Sequence, residues 1–242
     1  AEREQVGAIV VNQAAGRVPV LVGTAAEWTQ DAVSLSKAAE AAGADGVMVI
    51  PPYYCSPTED EMFVHYRKIA EAISVPVMVY NNPFTSNVDL SARFVARLAQ
   101  IENVNHIKES SGSVSRVSEI IRLCGDRMTV FAGYTPWESF RVGAEGYVSV
   151  FANIAPGLSA ELFETTVGNA DIAPGRAVYD RVIPLLEALS GDLYVGATQA
   201  ALAMIGQPVG DPRPPRQPLP AERLEPLRKV LVDLGLEAAR ST

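Results

Sequence analysis

Lysine is scarce in this chain: Lys37, Lys68, Lys108 and Lys229 are its whole supply. Three of them stand among polar neighbours in helical patterns, where a solvated ammonium needs no further account. Lys108 stands near the end of an apolar run, Val104–Glu109 (VNHIKE). A lysine carried on such a run into a barrel mouth loses its water, and its amine becomes available as a nucleophile. The plainer alternative is a structural lysine paired with Glu109 or another carboxylate. The preceding apolar run ends at Tyr80, just before Asn81-Asn82-Pro83. Neighbouring strands of a sheet lie about 4.8 Å apart, so Tyr80 and Lys108 are expected at one mouth. A phenol beside an imine-forming amine can move the protons of carbinolamine dehydration and enamine chemistry; otherwise it is a tyrosine hydrogen-bonded at a strand end. The run before that ends in Pro52-Tyr53-Tyr54. These tyrosines are open to core packing, a subunit contact or a proton relay, with packing the plainer role for Tyr53.

Other chemistries find less support. The two histidines, His65 and His106, have no Cys or second His at ligand spacing, so no metal site is expected. His65 is placed on the surface or seam of a helix. No GxSxG marks a nucleophilic serine, and Cys55 has no neighbouring base. No GxGxxG or GxxxxGK[ST] marks a nucleotide loop.

The elements that must hold these residues form a repeat. Apolar, β-branched runs occupy Val18–Gly23, Gly46–Pro51, Val75–Tyr80, Val104–Glu109, Met128–Gly133 and Gly146–Val150, the first four beginning about 28–29 residues apart. Near-continuous apolar runs of this kind mark parallel strands covered by helices. Between them lie helical patterns: Gln30–Ala42, Thr58–Ile73 with Thr58 and Glu61 at capping-box spacing, Leu90–Gln100 capped by Asp89, Ser113–Leu123 ending at Gly125, and Trp137–Val142 behind Thr135-Pro136. Repeated βαβ units follow. After the sixth run the chain reads as helices only, at Leu158–Val167, Pro174–Leu189, Leu193–Ile205 and Ala221–Leu236, with a proline-rich connector at Asp211–Pro220.

Six strands do not close an eight-stranded barrel. An open doubly wound sheet would want a glycine-rich loop after its first strand, and none is present. The expectation is therefore a (β/α)₈ barrel lacking its first two strands in this chain, with Ala1–Ala15 as the helix after the second. Residues 1–169 would be the barrel piece, strands 3 to 8, and 170–242 a C-terminal α-helical extension.

Composition narrows the function classes. Hydrophobic residues make up 48% and charged residues 20%, which is enough apolar material for a large core. The net charge is −8 and the basic residues are scattered, so neither nucleic acid nor an anionic membrane is an expected partner. Two cysteines without CxxC spacing argue against a disulfide framework. With no apolar run of membrane-span length and no signal peptide, the expected setting is cytoplasmic.

Six stretches in order carry a resemblance: VPVLVGT (Val18–Thr24), GADGVMVIPPYY (Gly43–Tyr54), VPVMVYNNP (Val75–Pro83), IKES (Ile107–Ser110), FAGY (Phe131–Tyr134) and GAEGYVSVFANIAP (Gly143–Pro156). The chain resembles the dihydrodipicolinate synthase / N-acetylneuraminate lyase family of class I, pyruvate-type aldolases. The resemblance implies a lyase that binds a small 2-oxo acid as a Schiff base and joins it to, or cleaves it from, an aldehyde. It implies no cofactor, and a homo-oligomer, either a dimer or a tetramer built from two dimers. It makes Lys108 the Schiff-base former, Tyr80 the proton-transfer residue, and Tyr54 the tyrosine that in some members reaches the neighbouring subunit's site. It places the backbone around Val148 against the pocket. For the second partner, Thr85, Ser110, Tyr134 and Asn153 are the candidates. The chain departs from the family pattern in three ways. The family's two opening strands and the Gly-Thr-Thr/Ser-Gly-Glu type loop that holds the carboxylate are not found. Thr85 stands where synthases using aspartate semialdehyde carry arginine, which favours the sugar-acid aldolases and dehydratases of the family. His106 stands where a small residue is usual. Two alternatives accompany the aldolase reading: a 2-keto-3-deoxy sugar-acid dehydratase using the same imine, and an inactive fragment or non-catalytic barrel.

Overall fold

The computed structural model describes residues 2–169 and 171–236; Ala1, the first residue of the expected opening helix, and residue 170, at the expected domain boundary, lie outside them. The chain forms two compact units, Ala1–Val148 and Ser149–Thr242.

The first unit opens with helix α1 (Glu2–Ala14) and then alternates strand and helix. Strands β1 (Leu21–Gly23), β2 (Gly46–Val49), β3 (Val77–Asn81), β4 (Val104–Glu109), β5 (Thr129–Ala132) and β6 (Gly146–Tyr147) make one sheet in sequence order, every pairing parallel. Helices α2 (Thr29–Ala41), α3 (Glu59–Ala70), α4 (Pro83–Ser86), α5 (Ala92–Leu98), α6 (Val114–Cys124) and α7 (Pro136–Arg141) connect them. Parallel neighbours need such crossovers. Burial explains the apolar runs: Val47, Val49, Val77, Val79 and Ile107 are fully buried, as strands covered by helices must be.

The strands are shorter than the apolar runs. Val18–Pro19 and the residues after Tyr147 lie outside the ladder, so β1 and β6 are only three and two residues long. The caps follow the sequence in part. Thr58 and Glu61 form the expected box, in which Glu61 N donates to Thr58 Oγ1 at 3.3 Å and Thr58 N to Glu61 Oε2 at 2.8 Å. The cap expected from Asp89 falls instead to Ser91, which accepts from Phe94 N at 3.1 Å. Asp89 is drawn away by Arg116, whose Nη1 and Nη2 reach its two carboxylate oxygens at 2.9 and 3.1 Å. Pro136 opens α7 as expected, but Thr135 takes φ 46° and makes no side-chain cap bond. His65 is buried rather than at the surface; its Nδ1 lies 2.9 Å from Thr29 Oγ1, and its ring packs edge-on against Tyr66.

One irregularity sets the register at the middle of the sheet. Val77 pairs with Val104, but Met78 pairs with His106, so Asn105 has no opposite number in β3. Beyond this bulge the partners are Tyr80–Lys108 and Asn81–Glu109. Successive strand residues face opposite sides of a sheet, and in-register residues share a side. Were Asn105 paired into the ladder rather than bulged out of it, Lys108 would stand opposite Asn81, on the wrong face for Tyr80.

The second unit is helical: α8 (Pro156–Thr166), α9 (Ala173–Ala188), α10 (Tyr194–Met204) and α11 (Ala221–Asp233). Phe151, Val182, Leu185, Ala201 and Leu231 are fully buried in it. Among the described residues no helix is long and apolar enough to cross a membrane.

Candidate active site

The C-terminal ends of β3 and β4 bring Tyr80 and Lys108 together. The Lys108 Nζ lies 4.0 Å from the centroid of the Tyr80 ring, over its face. Both side chains are half-buried. The amine rests on the π-face rather than on the phenol oxygen, a cation–π placement. The Tyr80 hydroxyl is thus left to another partner: Asn82 Nδ2 donates to it at 2.8 Å.

The opposite face of the same strand ends is locked by a polar cluster. Asn81 is fully buried and Glu109 is 3% exposed. Asn81 Nδ2 donates to Glu109 Oε2 at 2.8 Å and to Asp89 Oδ1 at 3.2 Å, while Asn81 Oδ1 accepts from Leu90 N at 3.0 Å. Glu109 Oε1 accepts from Ser111 N at 2.6 Å. The Arg116 guanidinium beside Asp89 holds that carboxyl below the usual carboxylate range. Buried polar groups satisfied in this way fix a single arrangement, here one that carries Tyr80 and Lys108 on its other side. Glu109, the alternative partner for Lys108, has its carboxylate taken by Asn81 and Ser111 instead.

Phe131, opposite Lys108 in β5, completes the row. Gly146 makes room for its ring, since a Cβ there would lie 2.1 Å from Phe131 Cδ1. His106 packs its ring 5.9 Å from that of Phe131, and burial lowers the pKa of its imidazole. It fills space beneath the row.

The remaining sequence candidates are spread more widely. Tyr54 is 92% exposed on the loop after β2. Glu27 anchors that loop: its Oε1 accepts from Tyr53 N at 2.6 Å and from Tyr54 N at 2.9 Å. Thr85 is exposed in α4, and its N donates to Asn82 O at 3.1 Å. Tyr134 is 43% exposed after β5. Val148 N donates to Ala132 O at 2.9 Å, which ties its backbone to the end of β5. Ser110 is not a rim residue: it is 1% exposed, and its hydroxyl has no partner among the described residues. Asn153 belongs to the second unit, where its Nδ2 donates to Val150 O at 3.2 Å. Both cysteines are free thiols, Cys55 exposed and Cys124 buried. Among the described residues no group of three or more His, Cys, Asp or Glu is placed to hold a metal ion.

Sequence reasoning misses Asn82 and the Asn81–Glu109 pair. Both asparagines are visible in the YNNP stretch, but only the register shows which face each one serves.

Known proteins resemble the chain along almost its whole length. The family model described as the dihydrodipicolinate synthetase family matches residues 1–234. The 4-hydroxy-tetrahydrodipicolinate synthase of Syntrophobacter fumaroxidans is 39% identical over 97% of this chain and 81% of its own. Its counterpart in Pseudomonas aeruginosa is 36% identical over 98% of this chain and 82% of its own. A crystal structure of the chloride-inhibited dihydrodipicolinate synthase from Acinetobacter baumannii, complexed with pyruvate, superimposes with a TM-score of 0.92 at 35% identity, covering 97% of this chain and 81% of that one. At such likeness the fold class is that of the α/β barrels.

Proposed function

The chain belongs to the dihydrodipicolinate synthetase family of pyruvate Schiff-base aldolases, and we propose that Lys108 is the residue that forms the imine. The observation that carries this is the pairing across β3 and β4, with the Lys108 amine 4.0 Å from the Tyr80 ring centroid. The Lys108 nitrogen attacks C2 of pyruvate or a related 2-oxo acid, and the carbinolamine loses water to give a cationic imine. The imine withdraws electrons from C3, so a C3 proton leaves and an enamine forms. The enamine adds to an aldehyde, and the reverse path cleaves the same bond. Tyr80 moves the protons. The covalent imine is itself the electron sink this chemistry needs.

Tyr54, at 92% exposure, is suited to reaching the site of a second copy in a homo-oligomer. Thr85 and Tyr134 are exposed on the segments after β3 and β5, where a second substrate would contact them. Ser110 would serve from behind, by filling the space beside Gly133. The backbone at Val148 lines the pocket. The six strands correspond to strands 3 to 8 of the family barrel, which would run to residue 169 and take in α8, and helices α9, α10 and α11 to its C-terminal extension.

The dehydratase alternative rests on Thr85, where an arginine would suit aspartate semialdehyde. The Syntrophobacter and Pseudomonas relatives both bear the synthase name, so that alternative is not favoured. Neither is the inactive barrel.

The test is to incubate the protein with pyruvate and borohydride, then map the modified peptide. The expected result is a reduced adduct on Lys108 and none on a Lys108→Met variant. An adduct confined to Lys37, Lys68 or Lys229, or no adduct at all, refutes the assignment.

A further inference from the structure

Asn82 stands where a helix N-cap should be, ahead of α4, with φ −144° and ψ 84°. An asparagine in that place ordinarily turns its side chain onto the N–H groups of the first helical turn. Here it makes no such bond. Its main-chain oxygen takes that work instead, accepting from Thr85 N at 3.1 Å, Ser86 N at 3.0 Å and Ser86 Oγ at 3.0 Å. The side chain turns back along β3, and its Nδ2 donates to Tyr80 Oη at 2.8 Å. Asn82 is only 6% exposed, and its Oδ1 has no partner among the described residues.

With an N–H already pointing at the phenol oxygen, the phenol's own hydrogen must point elsewhere. Among the described residues no acceptor takes it.

We propose that Asn82 is a positioning residue that commits the Tyr80 hydrogen to the bound substrate. The inference rests on the reading that Tyr80 carries protons in the imine chemistry. When the carbinolamine on Lys108 collapses, its C2–O bond breaks and the nitrogen lone pair becomes the second bond of C=N. The departing oxygen takes one proton, from Tyr80 Oη, and leaves as water. The phenolate that remains keeps the Asn82 N–H as a donor. It recovers a proton from C3 when the imine passes to the enamine, so the tyrosine ends as it began.

Three variants test this: Asn82→Val removes the donor, Asn82→Asp offers an acceptor that captures the phenol hydrogen, and Tyr80→Phe removes the phenol. The readouts are the rate of borohydride-trappable adduct formation with pyruvate, the pyruvate concentration for half-saturation, and the melting temperature. Tyr80→Phe should slow trapping roughly 100-fold, the lower range for a general acid. Asn82→Val should slow it roughly 10-fold, the scale of one net hydrogen bond. Asn82→Asp, though closest in shape, should be slower than Asn82→Val. Half-saturation should move less than about two-fold, since orientation and not binding is lost. In the Tyr80→Phe background Asn82→Val should cost nothing further, because the two act as one unit. That cycle decides the matter even if the buried aspartate prevents folding. Trapping by Asn82→Val at the wild-type rate, or an equal slowing with and without the phenol, overturns the inference about Asn82 alone. Unchanged trapping by Tyr80→Phe overturns the role given to Tyr80, and Asn82's with it.

Discussion

Replacing Gly133 with alanine should damage the site from behind. The glycine sits at the end of β5, and its N donates to Glu109 O at 2.8 Å, immediately after Lys108. A Cβ built there would lie 1.7 Å from Ser110 Oγ and 3.1 Å from Glu109 O. Ordinary heavy-atom contact is about 3.5 Å, so something must move by roughly 2 Å. Rotating Ser110 does not suffice, because its Cβ would be only 2.7 Å from the new methyl. The ends of β4 and β5 must separate. Overpacking of this kind costs about 1–3 kcal/mol, and loss of the Gly133–Glu109 hydrogen bond adds about 1 kcal/mol. A destabilisation of about 2–4 kcal/mol is expected in urea unfolding at unchanged m-value. Pyruvate trapping should fall on the order of 100-fold, as misplacement by about 1 Å does. Removing the obstacle as well, in Gly133→Ala/Ser110→Gly, should restore most of both losses, so that the two changes couple strongly. If Gly133→Ala unfolds at the wild-type urea concentration, or if Ser110→Gly fails to rescue it, the packing argument is wrong.

Burial depresses the pKa of His65 to about 4, against about 6.5 in an unfolded chain. The unfolded state therefore binds the proton first, and stability present above pH 6.5 drains away as pH falls toward 4, by up to about 3 kcal/mol. A His65→Gln variant should lose that part of the acid dependence of melting, and a variant as acid-sensitive as the wild type would refute it. Glu109→Gln presents an NH₂ to either Asn81 Nδ2 or Ser111 N, which now donate at 2.8 and 2.6 Å. It should cost about 1–3 kcal/mol in denaturant unfolding and slow trapping with little change in pyruvate half-saturation. Thr58→Ala removes the cap of α3 and should cost about 1 kcal/mol in thermal unfolding without slowing trapping.

What can be read from the sequence and what cannot divide on physical lines. The strands are legible because their apolar runs are buried on both sides, and the Thr58–Glu61 box because a cap is a local affair. Lys108 and Tyr80 are legible because both end such runs. Asp89 misleads because its carboxylate answers to Arg116, 27 positions away, and no local rule sees that distance. His65 misleads because a helical pattern containing a polar residue reads as a seam, while the structure gives the imidazole Thr29 as a partner. Asn82 is hidden for a related reason: its position announces a cap, and only the fold shows its side chain turned to Tyr80.

The bulge at Asn105 has a consequence for how this protein can change. The meeting of Tyr80 with Lys108 is encoded in a count of residues, not in the chemistry of any side chain at position 105, which is exposed. Point substitutions there should be absorbed. A single-codon insertion between His106 and Ile107, with the bulge kept, would carry Lys108 opposite Asn81 and turn the amine to the far face of the sheet while leaving every residue of IKES intact. A descendant with such an insertion would keep the family's signature and lose its chemistry, and a motif search would not tell the two apart.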